Sequence, residues 1–223
     1  MKRAILLKIS AIVSGISGII ILAGVLAPIL FYEASPIKGN PDIVSPLPEK
    51  EVKGSVGEID YTKASNWFVG GARSEDFSNE KIDFYTLSIP KLKIENATVA
   101  IGGEDLSKSL IQYPGTATPG KRGNAVIFGH SILPIFYNPK DYLAIFSTLP
   151  TLKKGDEILV SYDGVSYKYL VEDMFEVLPT DIEVLEQNTS DSFLSLITCV
   201  PPGDPRKPRR LVVRARIVPP QGG

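Results

Sequence analysis

Apolar residues fall into one long run and then many short ones. Residues 9–32 form an uncharged stretch of 24 positions bounded by Lys8 and Glu33. A membrane-spanning helix needs about 20 apolar residues, whereas the apolar core of a cleaved signal peptide has only about 7–15. The stretch therefore predicts an uncleaved anchor. Gly15, Gly18 and Gly24 fall inside it, as glycine often does in membrane helices. Lys2, Arg3 and Lys8 precede it and, by the positive-inside rule, belong in the cytoplasm, which puts everything after Glu33 outside.

Beyond the anchor the pattern changes twice. Residues 34 to about 60 carry Pro36, Pro41, Pro46 and Pro48 among polar residues, the composition of a stiff, extended spacer. Residues 61–81 mix Tyr61, Trp67, Phe68 and Phe77 with Gly70-Gly71 and polar residues. They read as a loosely packed lead-in covering part of a core rather than as a flap over a site, because nothing among them has catalytic spacing. From residue 83 onward, short runs rich in β-formers alternate with turn residues. Strands are expected over 84–89, 97–101, 124–129, 157–162, 165–177, 193–199 and 211–218. Asp163-Gly164 signals a hairpin between the fourth and fifth of these. In the last, Val213, Ala215 and Ile217 alternate with Arg214 and Arg216, an apolar face opposite an exposed one. Helical turns are expected only over 107–112 and 142–149. Many short strands with regular turns predict an all-β domain, a barrel or a sandwich. The division expected is an anchor over 1–33, a linker and lead-in over 34–82, and a folded domain over 83–219.

Charge narrows the function. Twenty-four basic and 25 acidic side chains leave a net charge of −1 and a pI near 5.9. No face-wide basic excess is available to meet phosphates, so nucleic acid is not an expected partner. Arg206, Lys207, Arg209 and Arg210 form a small basic cluster, either a solvated loop or a local anion or oxyanion site.

The chain has one cysteine and one histidine. An internal disulfide is impossible, and a zinc site would need carboxylates for its remaining ligands. A single cysteine is most often a small buried hydrophobe. Here, however, Cys199 ends an apolar run and is followed by Pro201-Pro202-Gly203. His130 likewise ends the apolar run 125–129, and Arg209-Arg210 opens the last strand. A thiol, an imidazole and a guanidinium at three strand edges can do acyl-transfer chemistry. The thiolate attacks a carbonyl, the imidazole moves the proton, and the guanidinium steadies the oxyanion. A thiol on the oxidising side of a membrane is also unusual unless it has a purpose or is sheltered. Histidine precedes cysteine by 69 residues, the reverse of the papain-like order, and no glycine-rich turn of the chymotrypsin-like kind flanks Cys199.

Ser195-Leu196-Ile197-Thr198-Cys199, with Gly129-His130 and with Arg210 directly before Leu211-Val212-Val213, resembles the sortase family, whose nucleophile strand reads T-L-x-T-C. Serine stands here where the family usually has threonine. The resemblance covers roughly residues 84–218. It implies a closed β-barrel of about eight strands with one or two short helices, behind an N-terminal transmembrane helix. It further implies a single-pass membrane protein with an extracellular catalytic domain, in which Cys199, His130 and Arg210 are catalytic. Thr198, Arg209 and Ser131 are candidates for the substrate groove. Arg210 is preferred to Arg209, which points to the other side once the strand has begun. The implied reaction cleaves an LPxTG-like C-terminal sorting signal of a secreted surface protein. The acyl group then passes from Cys199 to a peptidoglycan-precursor or pilin amine. No cofactor is expected, and no dense carboxylate cluster supports a calcium site. The aspartate-proline-aromatic triplet of pilus-building members is absent before residue 84, which counts against pilus assembly. A same-fold hydrolase and a non-enzymatic surface scaffold are the competing readings.

Overall fold

A computed structural model describes residues 2–37, 59–77 and 82–219. Most of the expected proline-rich spacer, including Pro41, Pro46 and Pro48, lies outside these residues.

The apolar N-terminal run is one helix, α1 (Lys2–Glu33). Its segment Leu7–Glu33 has 27 residues and a mean hydropathy of 2.4, long and apolar enough to cross a membrane. At 1.5 Å per residue it reaches about 40 Å, more than the roughly 30 Å of a bilayer's hydrocarbon.

Eight strands follow: β1 (Asp83–Ile89), β2 (Ile94–Ile101), β3 (Leu110–Gln112), β4 (Gly123–Phe128), β5 (Glu157–Tyr162), β6 (Val165–Val177), β7 (Ser192–Val200) and β8 (Arg209–Ile217). They close into a barrel in the order β1-β2-β3-β4-β7-β8-β6-β5. Two neighbouring pairs are parallel, β2 with β3 and β4 with β7; the other pairs are antiparallel. Asp163 and Gly164 both take positive φ, 50° and 74°, so the β5–β6 hairpin turns as its Asp-Gly pair requires.

Alternation along the strands divides the apolar residues into two clusters. Leu87, Val99, Ile127, Val160, Leu196 and Val213 fill the barrel interior. Ile111, Val126, Phe128, Ile197, Cys199 and Val212 have the other parity and form a second cluster on the outer wall. This second layer explains why β4 and β7 are buried at every position, a pattern of strands covered on both faces. The cover over the outer wall comes from Trp67, Phe68 and Phe77, together with Val184 from the β6–β7 connection.

Two local expectations change and one holds. Residues 110–112 are a strand, not a helical turn; β3 is only three residues long and gains its place by pairing with Val99–Ile101 and with β4. Residues 142–148 are turns, as expected, and lead into a 3₁₀ turn at Leu149–Thr151. The lead-in is tightly packed: Trp67 is fully buried and stacks on Phe128 with ring centroids 5.0 Å apart, and its indole N–H donates to the Tyr61 carbonyl at 2.9 Å.

Candidate active site

Cys199 and Arg210 are direct partners in the antiparallel β7–β8 register. Directly opposed residues of such a pair project from the same side of the sheet. Both therefore stand on the outer wall, with Ile197 and Val212 beside them. Both are also about 1 % exposed.

His130 lies two residues past the end of β4, and several bonds fix its backbone to the nucleophile strand. The Gly129 amide donates to the Ile197 carbonyl at 3.1 Å, extending the parallel β4–β7 pairing. The Thr198 hydroxyl donates to the Gly129 carbonyl at 2.8 Å. The Ser131 hydroxyl donates to the Cys199 carbonyl at 2.7 Å. The His130 carbonyl accepts from the Phe146 amide at 3.0 Å. Gly129 is needed here for space: a Cβ on it would collide with the Phe146 ring and lie 2.7 Å from Leu110.

The His130 ring is nearly buried. Its Nδ1 is 3.3 Å from the Ser131 carbonyl, and its Nε2 is 3.3 Å from Nζ of Lys207. Trp67 stands edge-on to it at 6.4 Å and 83°. Burial is the main cause of a His130 pKa lowered from 6.5 to about 4, with the positive charge of Lys207 adding to it. The Lys207 ammonium is itself pushed below its ordinary value by burial, against an opposing pull from Cys199.

Arg210 is held by carbonyls. Its Nε donates to Trp67 O at 3.1 Å, and its Nη1 donates to Lys207 O at 2.9 Å and Arg209 O at 3.2 Å. The guanidinium lies 5.5 Å from the Tyr61 ring centroid and 5.7 Å from that of Trp67. None of the ion pairs among the described residues involves it. Among the described residues these bonds use Nε and Nη1. A buried cation met only by dipoles and aromatic faces favours an arriving negative charge.

Arg209 points the other way. It has the interior parity of Leu211 and, at the first position of β8, pairs with Glu33 of α1 and, at 3.0 Å, with Glu176 of β6. Thr198 also faces away from Cys199 and is fully buried; both it and Ser131 secure the backbone near the thiol. The six residues singled out from sequence thus divide. Cys199, His130 and Arg210 share the outer wall, Thr198 and Ser131 brace it, and Arg209 serves the end of α1.

Three contributors were not singled out. Trp67 and Tyr61 roof the site from a segment without catalytic spacing. Lys207 was visible only as one of a basic cluster. A cavity of ≈ 690 Å³ opens beside His130, lined by Asp60, Tyr61, Thr62, Arg206 and Lys207 among others. Among the described residues no group of three or more His, Cys, Asp or Glu side chains could hold a metal ion.

The fold is thus a closed eight-stranded barrel with a cysteine, a histidine and an arginine gathered at the ends of β4, β7 and β8. A family profile described as Sortase domain matches residues 87–218, and the chain belongs to the sortase family. Its curated relatives include sortase A of Bacillus anthracis, 28 % identical over 209 residues, covering 87 % of this chain and 93 % of that protein. Sortase A of Staphylococcus aureus (strain NCTC 8325 / PS 47) is 30 % identical over 142 residues, covering 56 % of this chain and 65 % of that protein. Among solved structures, a lid mutant of sortase A from Corynebacterium diphtheriae superimposes with a TM-score of 0.54 at 28 % identity, over 64 % of this chain and 74 % of that one. Sortase C-1 of Actinomyces oris gives 0.52 at 29 % identity, over 60 % and 73 %. Sortases as a family are transpeptidases.

Proposed function

We propose that this chain is a membrane-anchored cysteine transpeptidase that cleaves an LPxTG-like C-terminal sorting signal and passes the acyl group to a cell-wall or pilin amine. The observation that carries the reading is the register pairing of Cys199 with Arg210 on the wall to which His130 is tied. Residues 1–33 hold the chain in the membrane with the N-terminus cytoplasmic, residues 34–82 space and cover the catalytic unit, and residues 83–219 form it outside the cell.

The reaction begins when the Cys199 thiol gives its proton to His130 Nε2. The thiolate then attacks the scissile carbonyl carbon, forming a C–S bond. The electron pair moves to the carbonyl oxygen, where the Arg210 guanidinium meets the developing charge. Collapse of this intermediate expels the amine, which takes the proton from His130. The neutral imidazole next accepts a proton from the incoming amine as that amine attacks the thioester, and Cys199 leaves as the thiol. With Cys199 about 1 % exposed, a peptide reaches it only after the roof formed by Tyr61 and Trp67 moves aside.

The test uses the full chain in detergent or nanodiscs with sorting-signal peptides, with and without a glycine-based amine or a diamino acid, read by mass spectrometry. An amine-dependent ligation product is expected, together with an acyl adduct on Cys199 that Cys199→Ala abolishes. Hydrolysis alone at saturating amine across the peptide panel would overturn the transpeptidase reading in favour of a hydrolase.

A further inference from the structure

Lys207 lies in the connection between the thiol strand and the arginine strand, and the mechanism above gives it no part. Its placement is built. Asp204, only 3 % exposed, binds Arg206 through the backbone amide at 2.9 Å, through Nε at 3.0 Å and through Nη2 at 2.6 Å. The Asp204 carbonyl then accepts from the Lys207 amide at 3.2 Å. Lys207 itself takes a left-handed φ of 46°, unusual for a residue with a long side chain. Its carbonyl holds Arg210, while its ammonium lies 4.9 Å from the centroid of the Tyr61 ring and 3.3 Å from His130 Nε2.

We propose that Lys207 is a positioning residue of this site: its ammonium donates a hydrogen bond to Nε2 of His130 and holds the imidazole neutral, with the Nδ1 proton turned to the Ser131 carbonyl. The cation beside Cys199 in the resting site is then the lysine, not an imidazolium. Nε2 becomes free to take the thiol proton when an acceptor on the incoming peptide draws the ammonium away, so the lysine couples substrate arrival to the readiness of the base. Charged or titratable groups face this pair from every neighbouring element. Asp60 and Tyr61 come from the lead-in, Asp141 from the segment after His130, Cys199 from β7, Arg206 from the connection and Arg210 from β8. Asp60 and Asp141 draw the imidazole toward its charged form, and Lys207 opposes them.

The inference deepens the role given to His130 under the proposed function, but its test does not depend on catalysis. His130 is the only histidine in the chain, so an untagged full-length protein in micelles, labelled with ¹³C at histidine, gives one imidazole titration curve. The wild-type midpoint is expected well below 6.5. Lys207→Met should raise it by about one unit or more, and Lys207→Arg should keep it within about half a unit of wild type. Lys207→Asn, which tolerates the left-handed backbone, repeats the loss of charge if the methionine variant fails to fold. A midpoint unchanged in both Lys207→Met and Lys207→Asn, or an Lys207→Arg midpoint that moves as far as theirs, would overturn the assignment. Peptide ligation with an unchanged imidazole curve would reject the role of Lys207 while leaving the transpeptidase reading intact.

Discussion

The Nε of Arg210 donates to the backbone carbonyl of Trp67 across 3.1 Å, so the lead-in is bonded directly to the strand that faces the thiol. The lead-in and the outer wall share this bond, and the Trp67 indole packs on Phe128, two residues before His130. Anything that loosens the roof is felt at all three candidate catalytic groups.

Trp67→Ala is therefore expected to act on both stability and access. Deleting a fully buried indole costs about 3–5 kcal/mol. The buried thiol should also be alkylated at least about tenfold faster, because local opening that exposes it then costs over 1.4 kcal/mol less. Iodoacetamide labelling followed by intact mass, beside a thermal melt, measures the two. An unchanged labelling rate in a destabilised variant would show that the indole does not gate the thiol.

The two adjacent arginines should separate cleanly. Arg210→Ala removes the guanidinium from the outer wall, with an expected loss of about 10²–10³ in acyl-transfer rate. It also leaves the Trp67 carbonyl unpaired, at about 1–3 kcal/mol. Arg209→Ala breaks the pairs with Glu33 and Glu176, costs similar stability, and should leave the rate within about threefold. Steady-state ligation rates together with melting curves decide this; a larger rate loss at Arg209 would reverse the roles.

Acid should weaken the fold through His130. Its folded pKa near 4 lies below its ordinary 6.5, so between these values the unfolded chain binds a proton that the folded chain refuses. Stability then falls as pH drops from about 6.5 to 4, by as much as about 3 kcal/mol, and this contribution is flat on either side. His130→Gln should remove that part of the slope. Urea midpoints at half-unit pH steps test it, and identical slopes in wild type and variant would contradict the burial of a neutral imidazole.

Gly129→Ala places a Cβ against Phe146 and Leu110. Overpacking of this kind costs about 1–3 kcal/mol and displaces the backbone that carries His130. A lowered melting temperature is expected together with reduced ligation; an unchanged melt would mean that Phe146 turns aside freely.

Sequence revealed the strands where they were long enough to show their own alternation, and the family resemblance chose the barrel over a sandwich. β8 displays Val213 and Ala215 inward from the bare pattern, and Asp163-Gly164 marked its hairpin. β3 was missed because three residues carry no period, and its pairing with β2 is parallel, so no tight hairpin turn announces it. Of the site, Cys199 and His130 stood out as single copies at the ends of apolar runs. The choice of Arg210 came from its place in the family motif; strand parity put Arg209 on the opposite side, as the register of β7 and β8 does. Lys207 could not be read in advance, because its reach to His130 depends on a left-handed turn built around Asp204, and one residue in a basic cluster carries no sign of such a turn. The close packing of Trp67 was hidden for a related reason: its partners Phe128, His130 and Arg210 are all distant in sequence.

The opposite facing of Arg209 and Arg210 sets a rule for engineering. A graft that exchanges the connection between β7 and β8 must keep its downstream junction ahead of Arg209. A cut between the two, shifted by one residue, would exchange the guanidinium that pairs with Glu33 at the end of α1 with the one that stands opposite Cys199. Both jobs would fail without any loss of composition, charge or strand content, and a survey by circular dichroism would call the chimera intact.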